Sequence, residues 1–264
     1  MRRALVAALV AALLTAPASA AGPLVAAHRG GAALWPENSL LAFRNAVALG
    51  ADFLETDVHL TADGEVVVLH DPTLDRTTTG SGRVSVLRLA DLRMLRLKAR
   101  DGSVTDEPIP TLAALLDVLA ASNARLLLEI KVDADRARYP GIEEKVLALV
   151  HGRGVSERTV IMAFQLETLR RVRALDAAIR TLLLVGRGEA DITSAMTRAV
   201  AVGASDLGLD HRLLDRAVVD AARASRLTLA AWTVNTEADL RRVIDLGVAI
   251  VISDRPDLAL RLAR

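Results

Sequence analysis

The chain has no cysteine. Disulfide scaffolds, thiolate metal centres and cysteine nucleophiles are thereby excluded. Aromatic residues are 2% of its 264 residues, against 52% hydrophobic overall, so the core has to be built from aliphatic side chains. A dominant charge is also missing: 33 basic side chains face 32 acidic ones, for a formal net charge of +1. That balance argues against a nucleic-acid partner, which needs a basic field. The apolar fraction is too high for a disordered chain. Past the N-terminus, no uncharged apolar run approaches the roughly 20 residues that span a bilayer, so stable membrane insertion is not expected.

The N-terminus has a pattern of its own. Arg2 and Arg3 precede a wholly apolar Ala4–Leu14 run, and Ala18-Ser19-Ala20 offers a small-residue exit. A basic start, a short apolar stretch and an A-x-A exit form a secretory signal peptide over residues 1–20. The expected protein is therefore exported, to the periplasm or the medium, as residues 21–264. The export context permits disulfides, yet the chain has none.

The remainder alternates. Short apolar runs occur at 24–27, 52–58, 125–130, 159–163, 180–185, 204–209, 227–234 and 248–252. Helical patterns follow them at 39–50, 111–121, 142–150, 166–174, 192–201, 213–224 and 237–246, with a last apolar stretch after Pro256. Asn38 or Ser39 suits the first N-cap and Gly50 its stop. Eight strand–helix units imply a parallel sheet, and about 240 residues fit a closed (β/α)8 TIM barrel. No G-x-G-x-x-G follows the first strand, which weakens a doubly wound dinucleotide-binding alternative. One gap is far too long for a barrel loop. It predicts an insertion after the second strand, about 59–110, opening with a hairpin at Asp63-Gly64 and containing a short helix at 89–95.

Polar residues cluster at the strand ends, where a barrel carries its active site. His28 and Arg29 end the first run; Glu129 and Lys131 end the third; Asn235 and Asp254 follow the last two. Glu55 and Asp57 are two apart on a strand and so share a face, with Phe53, Leu54 and Val58 assigned to the other. Buried carboxylates need a cation. Glu55, Asp57 and Glu129 make a cage for one divalent cation, Mg²⁺ or Ca²⁺; ion pairing with Arg29 and Lys131 is the alternative. Lysine stands only at 98, 131 and 145, and Lys131 suits an anion at the barrel mouth. His28 and His70, at loop ends beside the carboxylates, suit general acid and base work. His59 shares the parity of Glu55 and Asp57; His151 ends a helix; His211 has no evident partner.

Seven motifs in order carry a resemblance: His28-Arg29-Gly30-Gly31, Pro36-Glu37-Asn38-Ser39, Glu55-Thr56-Asp57-Val58, His70-Asp71, Glu129-Ile130-Lys131, Trp232-Thr233-Val234-Asn235 and Ser253-Asp254-Arg255-Pro256. Over about residues 24–262 the chain resembles the glycerophosphodiester phosphodiesterases. The resemblance implies a TIM barrel with an insertion after the second strand. It implies hydrolysis of small-molecule glycerophosphodiesters to sn-glycerol 3-phosphate and an alcohol. It carries the family's divalent ion to Glu55, Asp57 and Glu129, its acid/base pair to His28 and His70, and its phosphate contacts to Arg29 and Lys131. Glu37-Asn38 match the motif shaping the mouth, and Trp232 an aromatic near the glycerol. Phe164 is expected to pack there with Trp232, with Trp35 at the rim. Two positions depart: Ser39 stands for the usual Thr, and Ala163-Phe164 for Ser-Phe. The second removes a pocket hydroxyl and bears on substrate preference. Other occupants of the scaffold would be a lysophospholipid-cleaving phosphodiesterase, a phosphosugar enzyme or an inactive binding protein. The oligomeric state stays open.

Overall fold

A computed structural model describes residues 22–189 and 191–264. The proposed leader at 1–20 lies outside the described residues. The parallel strands are β1 (Leu24–Ala27), β2 (Phe53–Leu60), β4 (Arg125–Ile130), β5 (Thr159–Ala163), β6 (Arg180–Val185), β7 (Asp206–Asp210), β8 (Thr228–Trp232) and β9 (Ile250–Ser253). The intervening short strand β3 (Val66–Val68) is antiparallel to β2. Neighbours run β1-β9-β8-β7-β6-β5-β4-β2, and pairing of β1 with β2 closes the ring. This is the expected eight-stranded parallel barrel. Helices α1 (Leu40–Leu49), α3 (Leu112–Ala120), α4 (Ile142–Gly152), α5 (Leu166–Leu175), α6 (Ile192–Ala201), α7 (Arg216–Ala224), α8 (Glu237–Leu246) and α9 (Pro256–Ala263) cover its outside, and α2 (Leu89–Leu92) belongs to the insertion. Among the described residues no helix is long and apolar enough to cross a membrane.

Local chemistry sets the helix ends. Ser39 Oγ accepts from the Ala42 N–H, and Gly50 takes the left-handed conformation that stops α1. The helix expected from 213 begins instead at Arg216. His211–Leu213 form a single 3-10 turn, and Asp215 caps α7 by accepting from Val218 N–H. The short helix expected at 89–95 ends at Leu92.

The core is aliphatic, as the composition demands. Ala26, Phe53, Leu127, Met162, Leu182 and Ile250 pack inside the barrel, while separate clusters fill the space between strands and helices. Phe53, assigned above to the outer face, shares the parity of Glu55 and fills the barrel interior below it. Glu55, Asp57 and His59 are therefore inward side chains nearer the mouth.

The insertion begins two residues later than expected, because β2 continues to Leu60. The β2–β3 ladder holds it there, pairing Val58, His59 and Leu60 with Val68, Val67 and Val66. Val67, Leu69, Leu74, Val84, Leu92, Leu97 and Ile109 form the insertion's own buried cluster. Its exit is stitched back through Val68 N–H to Pro110 O and a bridge between Val67 and Thr111. The segment is a small packed layer over one side of the mouth.

Candidate active site

The site assembles from C-terminal strand ends. Strand β1 delivers His28 and Arg29, β2 Glu55 and Asp57, β4 Glu129 with Lys131 just beyond it, β8 Trp232, and β9 Asp254. Register brings the acids together: β2 and β4 pair with Asp57 opposite Glu129. Glu55, Asp57 and Glu129 are 2%, 1% and 7% exposed. Each offers an oxygen, and these oxygens all lie within 4.8 Å of one another.

Two cations touch the triad. Lys131 Nζ lies 2.9 Å from Glu129 and 3.4 Å from Asp57, and Arg29 Nε is 3.6 Å from Asp57. Glu55 has less: its Oε2 accepts the Arg29 backbone N–H at 2.7 Å, and His28 Nε2 is 3.9 Å away. Burial, reinforced by the Asp57 charge, pushes the Glu55 carboxyl well above the usual range. Glu129 is pushed up to about 7, again chiefly by burial, against the pull of Lys131. Burial also works against Asp57, but Lys131, His70, Arg29 and His28 outweigh it and hold its carboxyl well below normal. Three carboxylates thus share one buried space with two cations, and Arg29 is divided further, donating at 3.0 Å to Glu37. Ion pairing, the alternative reading, is present and incomplete. An all-oxygen donor set with this charge deficit fits a hard divalent cation.

Each expected acid/base histidine has its own carboxylate. His28 Nδ1 is 2.5 Å from Asp254, and His70 Nδ1 is 2.6 Å from Asp71. A carboxylate only accepts, so each Nδ1 carries the hydrogen and each Nε2 is left for chemistry. Burial disfavours the Asp254 anion, yet hydrogen bonds from His28 and from Asn235 (2.6 Å) hold its carboxyl below normal. The hydrogen bond from His70 does the same for Asp71, with Arg76 adding to it. His59 serves differently. Burial lowers it to about 4, so its ring is neutral. Its Nε2–H donates to the His70 carbonyl at 3.1 Å and its Nδ1 accepts the Tyr139 hydroxyl at 2.9 Å. It positions the His70 backbone.

Arg76 was not singled out in the sequence. It donates to both Glu37 oxygens at 2.8 Å and to Asp71 at 2.6 and 3.0 Å. Through it, Glu37 from the β1 loop is tied to the carboxylate behind His70. Asn38, buried, donates from Nδ2 to Asp57 at 3.1 Å and accepts from Thr56 at 3.0 Å. His151 pairs with Asp176, and His211 lies against Arg242 and Asp239; neither contacts the carboxylate triad, His28 or His70.

Two cavities open here. The smaller, about 120 Å³, joins His28, His70 and Lys131 to Met162, Phe164 and Trp232. Phe164 and Trp232 meet edge to face, with centroids 5.7 Å apart. The larger, about 520 Å³, shares His28 and Arg29 and extends under the insertion. Trp35, expected at the rim, lines neither cavity and packs on Gly31 instead.

The turn that presents His28 and Arg29 depends on Gly30. Its φ is +81°, and a Cβ there would sit 2.7 Å from Ala42 Cβ. Gly30→Ala combines a left-handed alanine with overpacking and is expected to cost about 2–4 kcal/mol. That lowers the melting temperature by roughly 5–15 °C, measurable by circular dichroism. Asp254→Asn tests the carboxylate behind His28. The amide no longer selects one tautomer, so kcat should fall roughly 10- to 100-fold while KM moves less than about threefold. A raised KM with kcat unchanged would mark Asp254 as a binding residue instead.

A barrel with buried carboxylates, oriented histidines and cationic side chains at its C-terminal mouth defines a (β/α)8-barrel enzyme. The chain belongs to the glycerophosphoryl diester phosphodiesterase family, whose model matches residues 28–258. It is 33% identical over 242 residues to a glycerophosphodiester phosphodiesterase of Caldanaerobacter subterraneus subsp. tengcongensis, covering 91% of this chain and 98% of the relative. Among solved structures it superposes on a glycerophosphodiester phosphodiesterase of Agrobacterium tumefaciens with TM-score 0.76 and 26% identity, over 90% of this chain and 99% of the other. It superposes with TM-score 0.78 and 26% identity on an Oleispira antarctica phosphodiesterase solved with its product sn-glycerol-3-phosphate, over 91% and 96% of the two chains.

Proposed function

We propose that this enzyme hydrolyses glycerophosphodiesters to sn-glycerol 3-phosphate and an alcohol, with His28 and His70 as the acid/base pair. The observation that carries the reading is the triad Glu55, Asp57 and Glu129 beside two histidines, each backed by a carboxylate, on a shared cavity. Arg29 and Lys131 line that cavity and neutralise the phosphate. One imidazole removes the proton of the attacking hydroxyl, whether of water or of the substrate's own glycerol. The other protonates the alcohol oxygen as its bond to phosphorus breaks. Glu55, Asp57 and Glu129 would hold one divalent cation, Mg²⁺ or Ca²⁺, which supplies Lewis-acid stabilisation of phosphoryl charge when bound. Glu37 acts on substrate through Arg29, which it holds in place. Phe164 and Trp232 pack against the glycerol carbons. The larger cavity is walled by charged residues in place of an apolar groove, which favours water-soluble diesters over lysolipids. Export through the 1–20 leader places this activity outside the cytoplasm.

The test is release of glycerol 3-phosphate from several glycerophosphodiesters by the purified protein, with chelator and metal add-back. No release from any of them with Mg²⁺ or Ca²⁺ present refutes the reading. Trp232→Ala should raise KM by roughly three- to tenfold with little change in kcat, because it removes packing felt equally by substrate and transition state. An unchanged KM would remove Trp232 from the glycerol site.

A further inference from the structure

We propose that the insertion makes the enzyme selective for diesters whose leaving alcohol itself carries negative charge, a carboxylate or a second phosphate. The proposal rests on the hydrolase reading above and names the substrate class of that same site. The two cavities share His28, Arg29 and Thr233. A diester with its phosphorus at those shared residues places its glycerol against Phe164 and Trp232, and its second alcohol in the 520 Å³ cavity.

The charge in that larger cavity does not cancel. From the insertion, its wall receives Arg76, Thr77, Lys98 and Arg100. Its acidic residues are Glu37 and Asp254, and both are already engaged. Glu37 accepts from Arg29 and Arg76, and Asp254 from His28 and Asn235. Arg76 in turn is committed to Glu37 and Asp71. Lys98 and Arg100 form no side-chain hydrogen bond or ion pair among the described residues, so they present two unspent positive charges. Asp101, between Arg100 and the turn glycine, bends back onto Ser103 N–H and Oγ at 2.9 and 2.6 Å. The wall also holds an orphan: Thr77 is 6% exposed, and its Oγ1 has no hydrogen-bond partner.

The backbone that carries Lys98 is anchored. Lys98 N–H donates to Thr77 O at 2.8 Å, and Thr78 bridges to Leu97, which is buried in the insertion's core. The wall therefore presents the Lys98 and Arg100 cations from a backbone anchored by packing. Partly exposed charge contacts of this kind change affinity by about two- to fivefold each, so two give about tenfold.

The experiment compares kcat/KM, with divalent cation present, for three diesters that share the glycerophosphate half. Glycerophosphocholine has a cationic leaving alcohol, glycerophosphoglycerol a neutral one, and the terminal phosphate ester of glycerophosphoglycerol an anionic one. At low salt the anionic diester should exceed the choline diester by about tenfold, and the ratio should collapse at about 0.5 M salt. In the Lys98→Gln, Arg100→Gln double variant the ratio should fall to within about twofold of unity. Reading the ratio inside each protein cancels any general loss of activity, and the salt series needs no variant. A wild-type ratio at or below unity, or one that survives the double substitution, overturns the proposal while leaving the hydrolase reading in place. Turnover of none of the three overturns that reading and this one with it.

Discussion

Replacing His28 or His70 with alanine is expected to lower kcat by about two to four orders of magnitude, with the fold retained. Both rings have Nδ1 fixed by a carboxylate, Asp254 or Asp71, and both line the cavity that also holds Lys131. Hydrolysis of a diester needs one proton taken from the nucleophile and one given to the departing alkoxide. Two oriented imidazoles match that requirement, and neither can do both at once. Because the two act as a unit, the double variant should be little slower than the worse single one. His28→Asn and His70→Asn keep some of the hydrogen bonding to the carboxylates and serve as controls for shape. Glycerol 3-phosphate release gives the rate, and thermal melting shows whether the fold is intact. Activity of His70→Ala within tenfold of wild type would remove it from the acid/base pair.

Much of this architecture could be read in the sequence because its signals are local. The eight apolar runs and their helices repeat at the right lengths, and Asp63-Gly64 marks the hairpin without help from the rest of the chain. Glu55 and Asp57 share a face by parity alone. What parity could not supply was the partner strand's register, and that register sets Asp57 against Glu129. Phe53 was misassigned although the same parity rule covers it, because its apolar character suggested the helix-facing side. In a barrel both faces of a strand are buried, so hydrophobicity does not separate them. The carboxylates behind the histidines were visible only as strand-end residues. Asp254 is 226 positions from His28, and nothing local announces their contact. Arg76 sits in a polar, Thr-rich stretch that reads as loop; its bridge between Glu37 and Asp71 exists only once the insertion has folded. Trp35 was placed by counting aromatics near strand ends, a rule blind to side-chain direction.

Stripping divalent metal with a chelator should abolish activity, and adding Mg²⁺ or Ca²⁺ back should restore it and raise the melting temperature. At a concentration 100 times its Kd, a cation that binds only the native state adds about 2.7 kcal/mol. For a chain of this size that is roughly 5–10 °C. The sharper consequence concerns substitution of the proposed ligands. Glu55 and Glu129 are buried against Asp57, and both are held above the normal carboxylate range by that burial. Without the cation, mutual repulsion of the three acids works against the fold. Glu55→Gln keeps the shape, removes one charge and retains an oxygen to accept the Arg29 N–H. The metal-free variant should therefore melt at or above the metal-free wild type, by up to about 1–2 kcal/mol of added stability. Yet it should lose the stabilisation by Mg²⁺ or Ca²⁺ and most of the activity. A purely structural role for Glu55 predicts the reverse: a less stable protein in which activity falls only as far as the folded fraction does. Melting curves of both proteins, with chelator and with cation, separate the two, because a metal ligand and a structural ion-pair partner shift the metal-free protein in opposite directions.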